Sequence, residues 1–82
     1  MTADEIRDAV KETIASTFGV AVGEISNSTI SSDVTGWDSL GHTVLMVRLG
    51  RRLGTRIPES IASQAKDVGQ LVAMLGTHLA TN

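Results

Sequence analysis

Apolar residues in the first part of the chain recur with helical spacing. Ile6, Val10, Ile14 and Phe18 follow one another at intervals of four, with Ala9 and Thr13 beside that stripe. Thr2 is a suitable N-cap, Glu5 three residues on completes a capping box, and Asp4 and Glu5 suit the positive helix end. Gly19 offers a stop. The pattern predicts a helix over 3–18. From Gly19 to Trp37 the periodicity fails, and Asn27, Ser28, Thr29, Ser31, Ser32, Asp33, Thr35 and Gly36 read as loop. A connection this long often carries function or short irregular turns. Val20, Val22, Ile25, Ile30 and Val34 are its expected anchors.

Asp38 suits the N-cap of a second helix that opens on Ser39, runs through Leu53 and stops at Gly54. At 100° per residue, Leu45, Met46, Leu49 and Leu53 cluster on one side and predict the core face. Leu40, Val44 and Val47 lie on roughly the opposite side, with Thr43 and Arg51 beside them. A bundle helix needs one apolar side; a second implies wrapping by the long loop or a surface for other proteins. Pro58 restricts Ile57 and prepares a turn, after which residues 59–64 suit one short helix. Asp67 can cap a last helix over 68–76, with Val68, Leu71, Val72 and Leu75 inward. Gly76 is the expected end, leaving 77–82 as a loose tail. The expected fold is all-α: three main helices and one short one, largely antiparallel, with a long first connection.

Length and composition narrow this picture. Eighty-two residues suffice for one domain over 1–82, close to the size at which a core can still stabilise a fold unaided. Phe18 and Trp37 are the only aromatic residues, so the core must be aliphatic. No apolar run long enough to span a bilayer occurs, and the N-terminal segment is acidic rather than a hydrophobic signal; the expected setting is cytoplasmic. That context disfavours glycosylation at the Asn27-Ser28-Thr29 sequon. With no cysteine, the chain has neither a disulfide nor a thiol nucleophile. The net charge of −2 is unevenly spread. Residues 1–38 hold seven acids against Arg7 and Lys11, a balance of −5. Residues 39–82 hold Glu59 and Asp67 against Arg48, Arg51, Arg52, Arg56 and Lys66, a balance of +3. Such asymmetry suits a partner surface or merely complementary solvated faces.

Gly36-Trp37-Asp38-Ser39-Leu40 sets a hydroxyl just inside a helix start, beside a carboxylate. Free backbone N–H groups and the positive helix end there would accommodate a phosphate ester. The ordinary alternative is Asp/Ser capping. Asp33, Asp38 and His42 define no metal geometry, and His42 falls on the core side of its helix, where a structural role is expected. Ser39 and His42 on one helix offer no evident oxyanion hole, so intrinsic hydrolysis is disfavoured. The arginines between positions 48 and 56 lack the interleaved aromatics of a nucleic-acid platform, and the overall charge is negative. An unmodified protein-interaction module is the stronger competitor.

Asp38-Ser39-Leu40 at the head of the second helix resembles the attachment motif of acyl carrier proteins. The similarity continues through the apolar helix to Leu53, then Gly54-Thr55-Arg56-Ile57-Pro58 and Asp67-Val68-Gly69-Gln70-Leu71, covering most of the chain. The resemblance implies a four-helix bundle of the acyl-carrier type, a monomer, in which Ser39 receives 4'-phosphopantetheine from coenzyme A. A separate Mg2+-dependent phosphopantetheinyl transferase would attach it, with Asp38 assisting recognition. The terminal thiol would carry an acyl group as a thioester, and the carrier itself would be no enzyme. Leu40, Thr43, Val44, Val47, Arg48 and Arg51 would form the surface that meets acyl-loading, condensing or tailoring enzymes; no nucleic acid or membrane span is implied. One departure matters. Fatty-acid carriers tend to be strongly acidic along this helix, whereas here it contains His42, Arg48, Arg51 and Arg52 and no acid after Asp38. That points towards polyketide or related secondary-metabolite synthesis, with aminoacyl, peptidyl or fatty-acid carriage as the alternatives.

Overall fold

The computed structural model describes residues 1–80. Helix α1 (Ala3–Phe18) starts on the expected reciprocal cap: the Thr2 hydroxyl accepts from the Glu5 N–H at 3.1 Å, and the Glu5 carboxylate accepts from the Thr2 N–H at 2.9 Å. The bond from the Thr2 N–H to the carboxylate, with the Thr2 side chain as a second contribution, favours the charged form and holds the Glu5 carboxyl below the usual carboxylate range. A lowered folded value means that the cap's contribution is complete above the ordinary Glu range. It is lost as pH falls through the lowered value. In urea titrations the wild type is expected to hold its advantage over Glu5→Gln at pH 7 and to lose it progressively as pH falls below the ordinary Glu range. A gap that does not change with pH overturns this.

The inward stripe of α1 is Ile6, Ala9, Val10, Thr13 and Ile14, and the Thr13 hydroxyl is satisfied by donating to the Ala9 carbonyl at 2.6 Å. The helix ends at Gly19, whose N–H returns to the Ala15 carbonyl. The following connection contains two short 3-10 turns, Val22–Glu24 and Ser31–Asp33. Of its five expected anchors, Ile25 and Val34 are buried and Val20 packs against the core. Val22 and Ile30 are not: both are largely exposed. Val22 opens the first 3-10 turn and Ile30 immediately precedes the second in an extended conformation, and nothing in the packing around them explains why they stay outside the core.

Helix α2 (Ser39–Leu53) lies antiparallel to α1, because its later residues meet earlier ones there. Arg48 donates to Thr17 and Ser16, and one turn further Arg52 pairs with Glu12. Helix α3 (Glu59–Gln64) follows Pro58 and buries only Ile61. Helix α4 (Val68–Ala80) buries Val68, Leu71, Val72 and Leu75, the four positions its spacing predicts. Asp67 caps it by accepting from the Gln70 N–H at 2.7 Å. Its first amides are also held by the long connection: Val68 N–H donates to the Thr29 carbonyl and Gly69 N–H to the Asn27 carbonyl. Asn27 in turn accepts from Arg7, so residues 26–29 tie α1 to the head of α4.

The expected end of this helix is corrected. Gly76 keeps a negative φ, and the helix passes through it to Ala80. Glycine stops a helix by adopting the left-handed conformation; here Leu79 packs against the core one turn on, and burying it favours continuation. Residues 77–80 are therefore helical rather than a loose tail, and the rest of that expectation, 81–82, lies outside the described residues. Side chains from α1, α2, α3 and α4 and from Ile25 form one aliphatic core. No helix among the described residues is long and apolar enough to cross a membrane.

Candidate functional site

The junction between the long connection and α2 is built from short-range contacts. Trp37 stacks on Phe18 at the end of α1, with ring centroids 5.6 Å apart, and on His42 in α2 at 6.2 Å. Its indole N–H donates to His42 Nδ1 at 3.0 Å. Nδ1 therefore accepts, and Nε2 carries the proton and donates to the Ala62 carbonyl in α3 at 2.7 Å. His42 is thus structural, as its place on the core side suggested, with both ring nitrogens engaged. Among the described residues no three His, Asp or Glu side chains form a group able to hold a metal ion.

This relay ties α1, the loop, α2 and α3 together beside Ser39. Replacing His42 with alanine leaves a half-buried indole N–H and a carbonyl without partners, at a cost of about 1–3 kcal/mol. The expected result is a lower urea midpoint and a red-shifted Trp37 emission; unchanged stability and emission would contradict the relay. The helical projection marked His42 as inward-facing, but its link to Ala62 joins positions twenty apart and had no sequence signal.

Asp38 is the N-cap of α2: its Oδ1 accepts from the Gly41 N–H at 2.8 Å, and its carbonyl accepts from the His42 N–H. Ser39 follows as the first helical residue and is exposed. Among the described residues its hydroxyl makes no hydrogen bond, and the N–H groups of Ser39 and Leu40 are also unpartnered. An oxygen free of the protein beside two unused donors is where a phosphate ester can be held without displacing any existing bond. An open groove of about 840 Å³ runs from Asp38 and Ser39 between α2 and α3, past Thr43, Met46, Val47 and Ala62, to Arg56 and Ile57. The contribution of Arg56 and Ile57, in the turn before α3, and of Ala62 within it was not apparent from the sequence, because only tertiary packing brings that segment alongside α2. A narrower cavity of about 70 Å³ beside Trp37, His42 and Leu71 has room for water-sized molecules only.

The expected partner surface divides in two. Leu40 is 75% exposed, Val47 51% and Val44 43%, so the apolar side of α2 that the core does not use faces solvent. Thr43 and Arg51 are exposed on the same helix. Arg48 is exposed as well but reaches over to the end of α1, where it donates to Thr17 at 2.8 Å and Ser16 at 3.1 Å.

Fold and site together define a class: a small all-α domain that displays an unencumbered hydroxyl at the head of its second helix. The family model for the phosphopantetheine attachment site matches residues 8–75, and the chain belongs to that family of carrier proteins. Domains of this family catalyse nothing themselves, and membership implies a covalent 4'-phosphopantetheine group. When bound, that group supplies a terminal thiol for holding acyl cargo, the sulfur that this cysteine-free chain lacks. The head of α2 fits the demands of such an attachment. Asp38 fixes the start of the helix, Gly41 completes the cap, and Ser39 is exposed at the edge of the open groove.

Proposed function

We propose that Ser39 is the attachment residue and that this carrier holds acyl intermediates as thioesters in polyketide or related secondary-metabolite synthesis, in the cytoplasm and as a monomer. The observation that carries the first part is the free Ser39 hydroxyl at the first position of α2. Other serines near the groove, Ser31 and Ser63, lie in a 3-10 turn and within α3, away from a long helix's free amides. Asp38, with one carboxylate oxygen engaged in the cap, presents the other to the phosphopantetheinyl transferase and its metal. Leu40, Thr43, Val44, Val47, Arg48 and Arg51 form the surface for loading, condensing and tailoring enzymes. The pathway assignment is supported by the charge of α2, which has arginines and no acid between Ser39 and Leu53.

The test is incubation of the full chain with coenzyme A and a broad-specificity phosphopantetheinyl transferase, followed by intact mass and peptide fragmentation. A single phosphopantetheinyl addition located on Ser39 is the expected result. No addition under conditions that modify a control carrier, or an addition elsewhere, would overturn the assignment.

A further inference from the structure

Leu40, Val44, Val47 and Arg51 are spaced i, i+4, i+7 and i+11 along α2 and so form one line on its outward face. With a rise of 1.5 Å per residue, the apolar part covers about 10 Å and the guanidinium is rooted about 6 Å beyond it. Three cations in this region lack a carboxylate among the described residues. Arg51 and Arg56 make no side-chain hydrogen bond or ion pair, and Arg48 donates only to the neutral hydroxyls of Ser16 and Thr17. Arg52 is different, because Glu12 neutralises it across the α1–α2 interface. The nearby acids do not cancel the rest: Asp38 is engaged at the helix start, and Glu59 lines the same groove as Arg56 without pairing to it.

We infer that the enzyme that docks on this carrier presents a short apolar seat for Leu40, Val44 and Val47, edged by carboxylates that meet Arg51 and Arg56. The inference rests on the carrier reading and adds the chemistry of the partner. An exposed apolar row needs a dry, shape-matched seat, and charges at its margin set partner choice and encounter rate. A basic rim would face Arg48, Arg51 and Arg56 with like charge. Nucleic acid fits less well, because the row is aliphatic and the indole of Trp37 is already engaged by Phe18 and by its hydrogen bond to His42.

The experiment loads the full chain with a coenzyme A analogue whose arm ends in an α-haloacyl amide in place of the thiol. The active-site cysteine of a condensing enzyme then displaces the halide and captures the docked complex. Two condensing enzymes serve as probes, one with an Asp/Glu-rich channel mouth and one with an Arg/Lys-rich mouth. Capture by the acidic-mouthed enzyme is expected to be about tenfold faster, to slow with added salt, and to drop by a similar factor in Arg51→Glu. Arg51→Gln, a milder change at an exposed position, is expected to fall between, with helix content unchanged by circular dichroism. Loading is read by mass before capture, so failure at that stage counts against Ser39 and failure afterwards counts against the docking inference. Equal or faster capture by the basic-mouthed enzyme, no capture by the acidic one, or no response to Arg51 substitution overturns it. So does self-association of the chain in sedimentation, or Arg51-dependent retention of a short single-stranded oligonucleotide.

Discussion

Ser39→Ala is expected to fold as the wild type does and to accept no phosphopantetheine at all. The two halves of this expectation come from the same geometry. The Ser39 hydroxyl is exposed and unbonded among the described residues, so its removal breaks no contact; alanine is also a slightly better helix former than serine. Asp38 continues to cap through Gly41. The change in stability should stay within about 0.5 kcal/mol, the ordinary range for an exposed site away from special features. Modification, by contrast, requires an oxygen at that position, and its loss is complete rather than graded. Asp38→Ala should behave in the opposite way. Removing the cap costs about 1 kcal/mol, and loading slows without disappearing, because the attacking hydroxyl remains. Thermal melts and intact mass on the two variants separate the cases. A phosphopantetheinyl addition to Ser39→Ala, or a melting point far below that of the wild type, would refute the expectation.

Gly41→Val is expected to damage the fold and the site together. A Cβ at position 41 would lie 2.2 Å from the Gly36 carbonyl oxygen and 2.9 Å from an edge carbon of Phe18. The first neighbour is backbone and cannot swing away. Gly36 adopts φ +90, a conformation that glycine tolerates and other residues rarely enter, so the loop has little freedom to move aside. Helix propensity would favour the substitution slightly, since glycine is the poorer helix former. The overlap opposes it more strongly: overpacking of this kind costs about 1–3 kcal/mol, occasionally more. A domain of this length has roughly 4–12 kcal/mol of stability in total. The melting temperature should therefore fall by on the order of 10 °C. Because the displaced loop carries Trp37 and Asp38, its emission should change and transfer to Ser39 should slow. A variant that melts and loads like the wild type would show that Gly36 and Gly41 do not need their close approach.

The legible parts of the fold are those in which neighbours in sequence suffice. The capping pair Thr2 and Glu5, the stripe of α1, the Asp38 and Asp67 caps and the inward faces of α2 and α4 depend on residues within a few positions of one another. The helical period and the chemistry of an N-terminus determine them before any tertiary contact exists. The exposed place of Ser39 is legible for the same reason, since it lies between a capping acid and the first turn; its role as an attachment point came from the family resemblance, because Asp/Ser capping alone would explain the spacing. The outward apolar row of Leu40, Val44 and Val47 could likewise be projected from one helix.

What remained illegible depends on distance along the chain. Gly76 looked like a helix end, yet Leu79 has core to pack against and the helix continues. Val22 and Ile30 looked like anchors, but a loop containing two 3-10 turns places only some of its apolar residues inward. The arginines looked alike. The tertiary structure distinguishes them by giving Glu12 to Arg52 and only hydroxyls to Arg48, while Arg51 and Arg56 keep uncompensated charge. By itself, then, the sequence determined where the main helices start, their N-caps and the serine at the head of the second, because short-range spacing and hydrogen bonding decide these. Only the tertiary structure decided how His42 and Trp37 fasten that serine's helix to α1 and α3, and which cations stay available to a partner. Those outcomes depend on which distant side chain or carbonyl comes within reach once the helices pack, and no local pattern encodes that.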